Sequence, residues 1–297
     1  MKINKVNKSK WRATLEARWM YTNEILSYAY DILRYPELSY TTNILAVKFG
    51  DDKEPLNPSL LRKIRIVPSP DITKDRKANG IIYKAESWRH FPKNLWSTVY
   101  EDTPWEKKRS MAVWRGATTG GTGSYPGTLD EEGTFGSRAE LVRRIPKWYK
   151  RADMDIAVSQ YVQGVSNLWG VGSFLSREKM MGSKLLLMPE GNDVATGLKW
   201  AMLSTSVVVM TKATVESWLM EGGMTANVEY LEVETDWSNL AEVVDWCWDN
   251  DEECKKIGER GQCWMRMFLD DDEEEEIMHE VMLEAERRQY EDGICNI

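Results

Sequence analysis

Two carboxylates at the end of a predicted strand are the first candidates for chemistry in this 297-residue chain. The segment ILAVKFGDD (44–52) reads as a strand that ends in Asp51 and Asp52. Functional groups in open α/β sheets cluster beyond the carboxyl ends of strands, so either carboxylate could act as a general base. A turn that merely closes the strand explains the same residues. His90, in SWRHFP, is the rival base, although a lone histidine among aromatic residues more often packs in a partly buried position.

A loop rich in glycine and threonine is the second candidate, and its chemistry would be anion binding. In MAVWRGATTGG (111–121) a predicted strand delivers Arg115 into the loop. Glycine permits close approach of the backbone, and arginine can bind a phosphate through two hydrogen bonds. A basic segment follows in this acidic chain, and it suits either a small anionic ligand or a solvated helix surface. Its basic residues are Arg138, Arg143, Arg144, Lys147, Lys150 and Arg151.

A third candidate is the segment KLLLMPEGNDVATGLKWAMLSTSVVVM (184–210), in which a turn separates a strand from a helix. A turn that presents free backbone N–H groups at the start of a helix is a natural site for a diphosphate. Lys199, within that helix, would add a positive charge. Any βαβ unit needs a turn of glycine, asparagine and aspartate at this place, so the pattern also has a purely structural explanation.

Composition excludes several classes of function. With 39 basic and 47 acidic residues the net charge is −8 and the pI is about 5.1, which argues against a general nucleic-acid binder. Two histidines and four cysteines form no CxxC or HExxH pattern, so a zinc site is nearly excluded. No G-x-G-x-x-G opens a helix after a strand, which disfavours a Rossmann-type oxidoreductase.

The cysteines and the apolar runs bear on location. Cys247, Cys254 and Cys263 fall in one helical stretch, which is not expected to form a disulfide framework. No apolar run approaches the roughly 20 residues that span a bilayer, and the basic N-terminus lacks the apolar centre of a signal peptide. We therefore expect a soluble, cytoplasmic protein with no transmembrane segment.

The elements that must position these residues follow an α/β pattern. The first half is irregular, with a predicted helix over 9–35 and strands over 44–49, 64–67 and 111–114. From about residue 150, strands over 156–159, 184–188, 206–210 and 230–233 alternate with helical or turn signals, as in a doubly wound parallel sheet. Helices over 239–250, 252–268 and 270–290 complete the chain.

Six segments in consistent order carry a resemblance to a known family. They are VWRGATTG, SRAELV, EGNDVATGLKWAMLSTSVVVM, TVESWLMEG, DWSNL and ECKKIGERG. Over roughly residues 44–270 the chain resembles glycosyltransferase family 90. That family includes fungal capsule-associated xylosyltransferases, Rumi-type protein O-glucosyltransferases and bacterial lipopolysaccharide sugar transferases.

The resemblance implies a fold and an activity. The fold would be α/β of the GT-B kind, with two Rossmann-like domains facing a cleft and additional C-terminal helices. Residues 1–150 would form the acceptor-side domain and 151–270 the nucleotide-sugar domain, with the helix of 271–297 packing back on the first. The activity would be an inverting transfer of xylose or glucose from UDP-xylose or UDP-glucose to a hydroxyl of a glycan or oligosaccharide. It would form a β-linkage and need neither a metal nor another cofactor.

The resemblance also assigns roles to residues. Asp51 would be the general base, with Asp52 as the alternative, and Glu216 would lie near the ribose or uracil. The nucleotide and diphosphate would be lined by Gly191, Asn192, Asp193, Thr196, Gly197 and Lys199. From the loop side they would be approached by Arg115, Gly116, Thr118, Thr119 and Arg138.

Two further expectations concern the acceptor and a departure from the family. Tryptophan is over-represented, with 14 against 5 phenylalanines, and three in the irregular half are candidates for a sugar-stacking platform: Trp88, Trp96 and Trp105. Rumi-like members carry an arginine where this chain has Gly197. That difference motivates the alternative of a catalytically inactive nucleotide-sugar-binding or scaffolding protein of the same fold.

Overall fold

The computed structural model describes residues 2–7, 10–14, 44–48, 59–62, 65–67, 80–84, 95, 97–120, 137–148, 150–163 and 170–293. The strands are β1 (Lys2–Asn7), β2 (Lys10–Thr14), β3 (Ile44–Lys48), β4 (Leu61–Arg62), β5 (Arg65–Ile66), β6 (Ile81–Ile82), β7 (Arg109–Ala117), β8 (Met154–Gln160), β9 (Ser183–Leu187), β10 (Val207–Thr211), β11 (Val215–Glu216) and β12 (Leu231–Val233). The helices are α1 (Ser97–Glu101), α2 (Ser137–Trp148), α3 (Arg177–Met181), α4 (Leu198–Leu203), α5 (Leu240–Asp249), α6 (Asp251–Arg266) and α7 (Asp271–Glu291).

The chain divides into two compact units. The first comprises Met1–Lys93, Thr214–Gly222 and Phe268–Ile297, and the second comprises Asn94–Ala213 and Gly223–Met267. This division differs from the boundaries expected at residues 150 and 270, because β7 pairs with β8 and β9 in one sheet. The arrangement of two domains around a cleft stays a prediction.

The second unit contains a five-stranded parallel sheet in the order β12-β10-β9-β7-β8. Counted along the chain from β7, the strands lie in the order 2-1-3-4-5, which is a doubly wound arrangement. Every residue of β9 and β10 is buried, as expected of parallel strands that are covered on both faces. The predicted α/β class, with parallel strands in this region, is confirmed.

The core of the second unit packs apolar side chains of this sheet against α2, α5 and α6. Trp237, which is fully buried, donates its indole N–H to Ser137 Oγ at 3.2 Å. This hydrogen bond joins the start of α2 to the turn before α5. The first residue of α2 is thereby fixed relative to the sheet.

The expectation that the cysteines of the C-terminal helical stretch form no disulfide framework is wrong for one pair. Cys247 in α5 and Cys254 in α6 form a disulfide, and both side chains are buried in the core. The chain turns at Asn250 between the two helices, which lets residues seven positions apart meet. A disulfide does not fit the reducing compartment from which a cytoplasmic location was predicted. That location stays a prediction.

The first unit contains a mixed sheet in the order β2-β1-β3-β4-β6. β1 is antiparallel to β2 and β3, whereas β3, β4 and β6 are parallel. For residues 10–14 the predicted helix is wrong, because Lys10–Thr14 pairs with β1 as a strand. The rest of that predicted helix lies outside the described residues.

The acidic run near the C-terminus starts a helix, as its charge pattern predicts. The Asp270 side chain accepts hydrogen bonds from the N–H groups of Asp272 and Glu273 at the start of α7. Lys84, next to β6, donates to Glu274 Oε2 at 2.6 Å, which ties α7 to the sheet of the first unit. Within the described part of the chain, no helix has the length and apolar character needed to cross a membrane.

Candidate functional site

The sheet of the second unit contains a topological switch point between β7 and β9. β7 continues through α2 to β8 on one side, whereas β9 continues through α4 to β10 on the other. Ligands of open parallel sheets bind outside the carboxyl ends of the strands at such a point. The segments that follow β7 and β9, residues 118–120 and 189–193, belong to the two stretches selected from sequence for anion binding. We call these two segments the switch-point loops.

Two glycines let the switch-point loops touch. Gly120 has a φ of +76°, and a Cβ there would lie 2.2 Å from the carbonyl oxygen of Gly191. A Cβ on Gly191 would lie 2.9 Å from Thr119 Oγ1. Side chains at these positions would therefore force the loops apart.

Arg138 holds the two loops together from the first turn of α2. Its Nε donates to the carbonyl of Pro189 at 3.2 Å, and its Nη1 donates to the carbonyl of Ala117 at 3.1 Å and to Thr119 Oγ1 at 2.6 Å. These three acceptors, two backbone carbonyls and one hydroxyl, belong to both loops or to the end of β7. The site therefore has a half-buried cation between its loops.

The segment after β8 also reaches the switch-point loops. Thr118 Oγ1 donates to the carbonyl of Val162 at 2.9 Å and accepts from its N–H at 2.8 Å. Gln163 accepts from the N–H of Gly120 at 2.7 Å and donates to Asn192 Oδ1 at 2.9 Å. Gln163 is not among the residues selected from sequence. Its place just beyond the carboxyl end of a predicted strand is the signal that could have found it.

Arg115 lies in different surroundings from those expected. Its Nη2 pairs with Asp155 Oδ1 at 2.6 Å, its Nη1 donates to the carbonyls of Trp114 and Asp155, and its Nε donates to the carbonyl of Ser173. The side chain is 8% exposed. Arg115 therefore joins β7 to β8 and to the segment 170–173, and its charge is balanced by Asp155. Gly116, which follows it, faces the Trp114 ring, and a Cβ would lie 2.7 Å from that ring.

The turn after β9 differs from the expected helix N-terminus. α4 begins only at Leu198, and the N–H of Gly191 donates to the carbonyl of Asp193 at 3.0 Å instead of being free. Asp193 and Lys199 are buried, whereas Thr196 and Gly197 are partly exposed. The described turn is thus a compact loop, and the guanidinium of Arg138 lies beside it.

Glu216 belongs to the first unit and not to the switch-point loops. It lies in β11, which pairs with β5, and its Oε1 accepts from Arg65 Nε at 2.6 Å. The carboxylate is buried beside Gly222, where a Cβ would lie 2.9 Å from Oε2. Its predicted contact with the ribose or uracil stays a prediction.

Most residues predicted to act as the base or to line the acceptor side are outside the described part of the chain. This holds for Asp51, Asp52, His90, Trp88 and Trp96. Trp105 is described, and its ring is 3% exposed, with Nε1 donating to Asp251 Oδ2 at 3.2 Å. A ring buried in the core presents no face to a sugar, so the predicted platform role of Trp105 is wrong.

No metal site is evident among the residues that the structure describes, where no group of three or more His, Cys, Asp and Glu side chains could hold an ion. This observation does not test whether the activity needs a metal. The metal independence expected from the family resemblance stays a prediction, which activity measurements with a chelator can test.

Similarity to known proteins shows the family of the chain. The model of the family described as Glycosyl transferase family 90 matches residues 84–290, well over half of the chain. The chain belongs to glycosyl transferase family 90. The matched range includes β7 to β12 and both switch-point loops, whereas Asp51 and Asp52 lie before it.

Two relatives are similar to the chain over different shares of their lengths. The chain is 28% identical over 246 residues to the O-glucosyltransferase LpsA of Dichelobacter nodosus, covering 82% of this chain and 66% of LpsA. It is 26% identical over 193 residues to the uncharacterized protein 179R of Invertebrate iridescent virus 6, covering 57% of this chain and 16% of that protein. The chain thus spans just under two thirds of the first relative and a small part of the second.

Proposed function

We propose that the chain is a UDP-sugar-dependent glycosyltransferase. It would move glucose or xylose from UDP-glucose or UDP-xylose to a hydroxyl of a glycan acceptor, with inversion and without a metal. The observation that carries the proposal is the pair of switch-point loops joined by Arg138 in a chain of family 90. The name of the relative LpsA, an O-glucosyltransferase, favours glucose as the first donor to test.

The diphosphate of the donor would bind at the switch-point loops. Its negative charge grows as the bond between the sugar and UDP breaks, and a preorganised cation stabilises that charge. Arg138 is suited to this role because its guanidinium lies between both loops and contacts each of them. Arg115 is less suited because Asp155 already balances its charge.

The acceptor would react on the opposite face of the sugar. In the proposed step Asp51 takes the proton of the acceptor hydroxyl, the acceptor oxygen bonds to the anomeric carbon, and the bond to the UDP oxygen breaks. The products are a β-linked glycan, UDP and a proton on Asp51. Asp52 is the alternative base.

Donor consumption by three proteins tests the proposal. Wild type, Asp51→Asn and Asp52→Asn are each mixed with UDP-glucose or UDP-xylose, a glycan acceptor and EDTA, and released UDP is measured. We expect wild type to turn over in EDTA and Asp51→Asn to lose about 100-fold or more in kcat. The affinity of Asp51→Asn for UDP should stay within about twofold of that of wild type, because the base does not bind the nucleotide.

Asp52→Asn is the matched control, one residue away in the same segment. Equal turnover by both variants and wild type would contradict the assignment of the base to either residue. Loss in Asp52→Asn alone would move the role to Asp52. Metal-dependent turnover would contradict the mechanism without a metal.

The second candidate is a protein that binds nucleotide sugars and does not transfer them. Gly197, where Rumi-like members carry an arginine, favours it, because one positive charge near the diphosphate turn is missing. Binding of UDP without consumption of any donor would select this candidate.

A further inference from the structure

We infer that Gln163 is a positioning residue, which sets the separation of the switch-point loops for the diphosphate of the donor. The inference rests on the proposed function and adds a residue that acts through Gly120 and Asn192 without touching the substrate.

The backbone at Gln163 is held in an unusual conformation. Its φ is +56°, a region that residues other than glycine seldom adopt. The preceding residue, Val162, is fixed on both its N–H and its carbonyl by the hydroxyl of Thr118. A strained backbone of this kind persists where the surroundings hold it, and such places cluster at functional sites.

The side-chain amide of Gln163 connects all three segments beyond the carboxyl ends of β7, β8 and β9. Its Oε1 accepts from the N–H of Gly120 at 2.7 Å, and its Nε2 donates to Asn192 Oδ1 at 2.9 Å. The N–H of Gly120 also lies 2.9 Å from Asn192 Oδ1. Because a backbone N–H can only donate, the amide oxygens must face it, and this fixes the orientation of Gln163.

The hydrogen bonds among Gln163, Gly120 and Asn192 lie at the contact between the two switch-point loops that Gly120 and Gly191 permit. A Cβ on Gly120 would collide with the backbone of Gly191, and one on Gly191 would press against Thr119, which accepts from Arg138. Releasing Gly120 from Gln163 would let the loop after β7 move relative to Arg138. Gln163 is itself exposed, so its hydrogen bonds should contribute more to loop position than to the stability of the fold.

The test compares Gln163→Ala and Gln163→Gly with wild type by calorimetric titration with UDP and by steady-state kinetics with UDP-glucose. Both variants remove the amide, and only the glycine relieves the backbone. We expect the Kd for UDP and the KM for the donor to rise about tenfold in both, with kcat within about threefold. Tm should change little.

Gln160→Ala is the matched control. Gln160 is also exposed, lies at the end of β8, and makes no side-chain hydrogen bond within the described part of the structure. Its Kd and KM should equal those of wild type.

Each other outcome overturns the inference. Wild-type affinity in both Gln163 variants would show that the amide is dispensable, while the proposed function would stand. Recovery in Gln163→Gly alone would assign the effect to the backbone. A large fall in Tm in both variants would make the residue structural. Failure of wild type itself to bind UDP would overturn both the proposed function and this inference.

Discussion

At the scale of single residues, two arginines expected to serve one ligand have different surroundings. Arg115 pairs with Asp155, whereas Arg138 donates to carbonyl and hydroxyl oxygens of the switch-point loops. A guanidinium balanced by a carboxylate, as in Arg115, offers little net charge to a further anion. Its ion pair with Asp155 argues against Arg115, and its position between the loops favours Arg138 as the arginine that would contact a diphosphate.

Gly120 is the residue at which a single methyl group should separate the loops. A Cβ there would lie 2.2 Å from the carbonyl oxygen of Gly191, and the φ of +76° adds backbone strain. We expect Gly120→Ala to lower the free energy of unfolding by about 3 kcal/mol and to weaken UDP binding. Urea unfolding and calorimetric titration measure the two effects.

The substitution Gly170→Ala measures the cost of backbone strain without a steric clash of the added Cβ. Gly170 has a φ of +75°, and no described atom lies within 4 Å of the Cβ position. Its substitution should cost only the strain, about 1 kcal/mol, and leave UDP binding unchanged. An equal loss of unfolding free energy in Gly120→Ala and Gly170→Ala would show that the close approach to Gly191 is not what requires glycine at position 120.

At the scale of elements, an ion-pair cluster joins the start of β8 to α5. Arg151 binds Asp153 through two hydrogen bonds, of 3.0 and 2.7 Å, and the Trp248 indole N–H donates to Asp153 Oδ2 at 2.8 Å. Asp153 precedes β8, so the cluster lies at the amino end of the strand, whereas the switch-point loops follow the carboxyl ends. We expect it to serve stability and not ligand binding.

The stability supplied by Asp153 should depend on pH. Hydrogen bonds from Arg151, and then from Trp248, outweigh partial burial and lower the pKa of Asp153 from 3.8 to about 2. A lowered carboxylate pKa stabilises the fold above about pH 4, and this contribution disappears as the pH falls toward 2. Asp153→Asn should therefore cost about 2 kcal/mol at pH 7 and much less near pH 2.

Urea unfolding at the two pH values measures this difference. Asp249→Asn, at an exposed position at the end of α5, is the control and should change neither value appreciably. If Asp153→Asn lowers the free energy of unfolding equally at both pH values, the charge of Asp153 does not contribute to stability.

At the scale of the whole molecule, an acidic chain carries a local positive site. The net charge is −8, yet the switch-point loops enclose the guanidinium of Arg138. We expect such a cation to contact a small anion without making the protein a general binder of polyanions. The two compact units each have their own sheet, and the switch-point loops belong wholly to the second.

Binding of UDP should raise the melting temperature of the whole chain. A ligand at about 100 times its Kd adds about 2.7 kcal/mol, which corresponds to about 4 °C for a protein of this size. Uridine, which lacks the diphosphate, should give a much smaller shift. Thermal melts with each compound, in EDTA and in magnesium, measure the effect, and a shift seen only with magnesium would contradict recognition of the diphosphate by the protein alone.

Much of the local structure could be predicted from sequence. The continuous apolar runs around β9 and β10 predicted buried parallel strands, and the acidic run predicted the start of α7. These features depend on patterns within a few residues, which periodicity and end signals encode. The short strand Lys10–Thr14 was missed because its pairing with β1, and not its own pattern, makes it a strand.

The two loops that carry the candidate site were recognisable in sequence as turns suited to an anion, and the ordered motifs indicated the family. Only the tertiary structure shows that β7 and β9 are neighbouring strands and that Arg115 forms an ion pair with Asp155. It also shows that Gln163 hydrogen-bonds to both loops and that Cys247 and Cys254 form a disulfide. Each of these depends on residues distant along the chain or on the direction of a turn. Local propensity determines the elements, and long-range packing determines which of their residues meet.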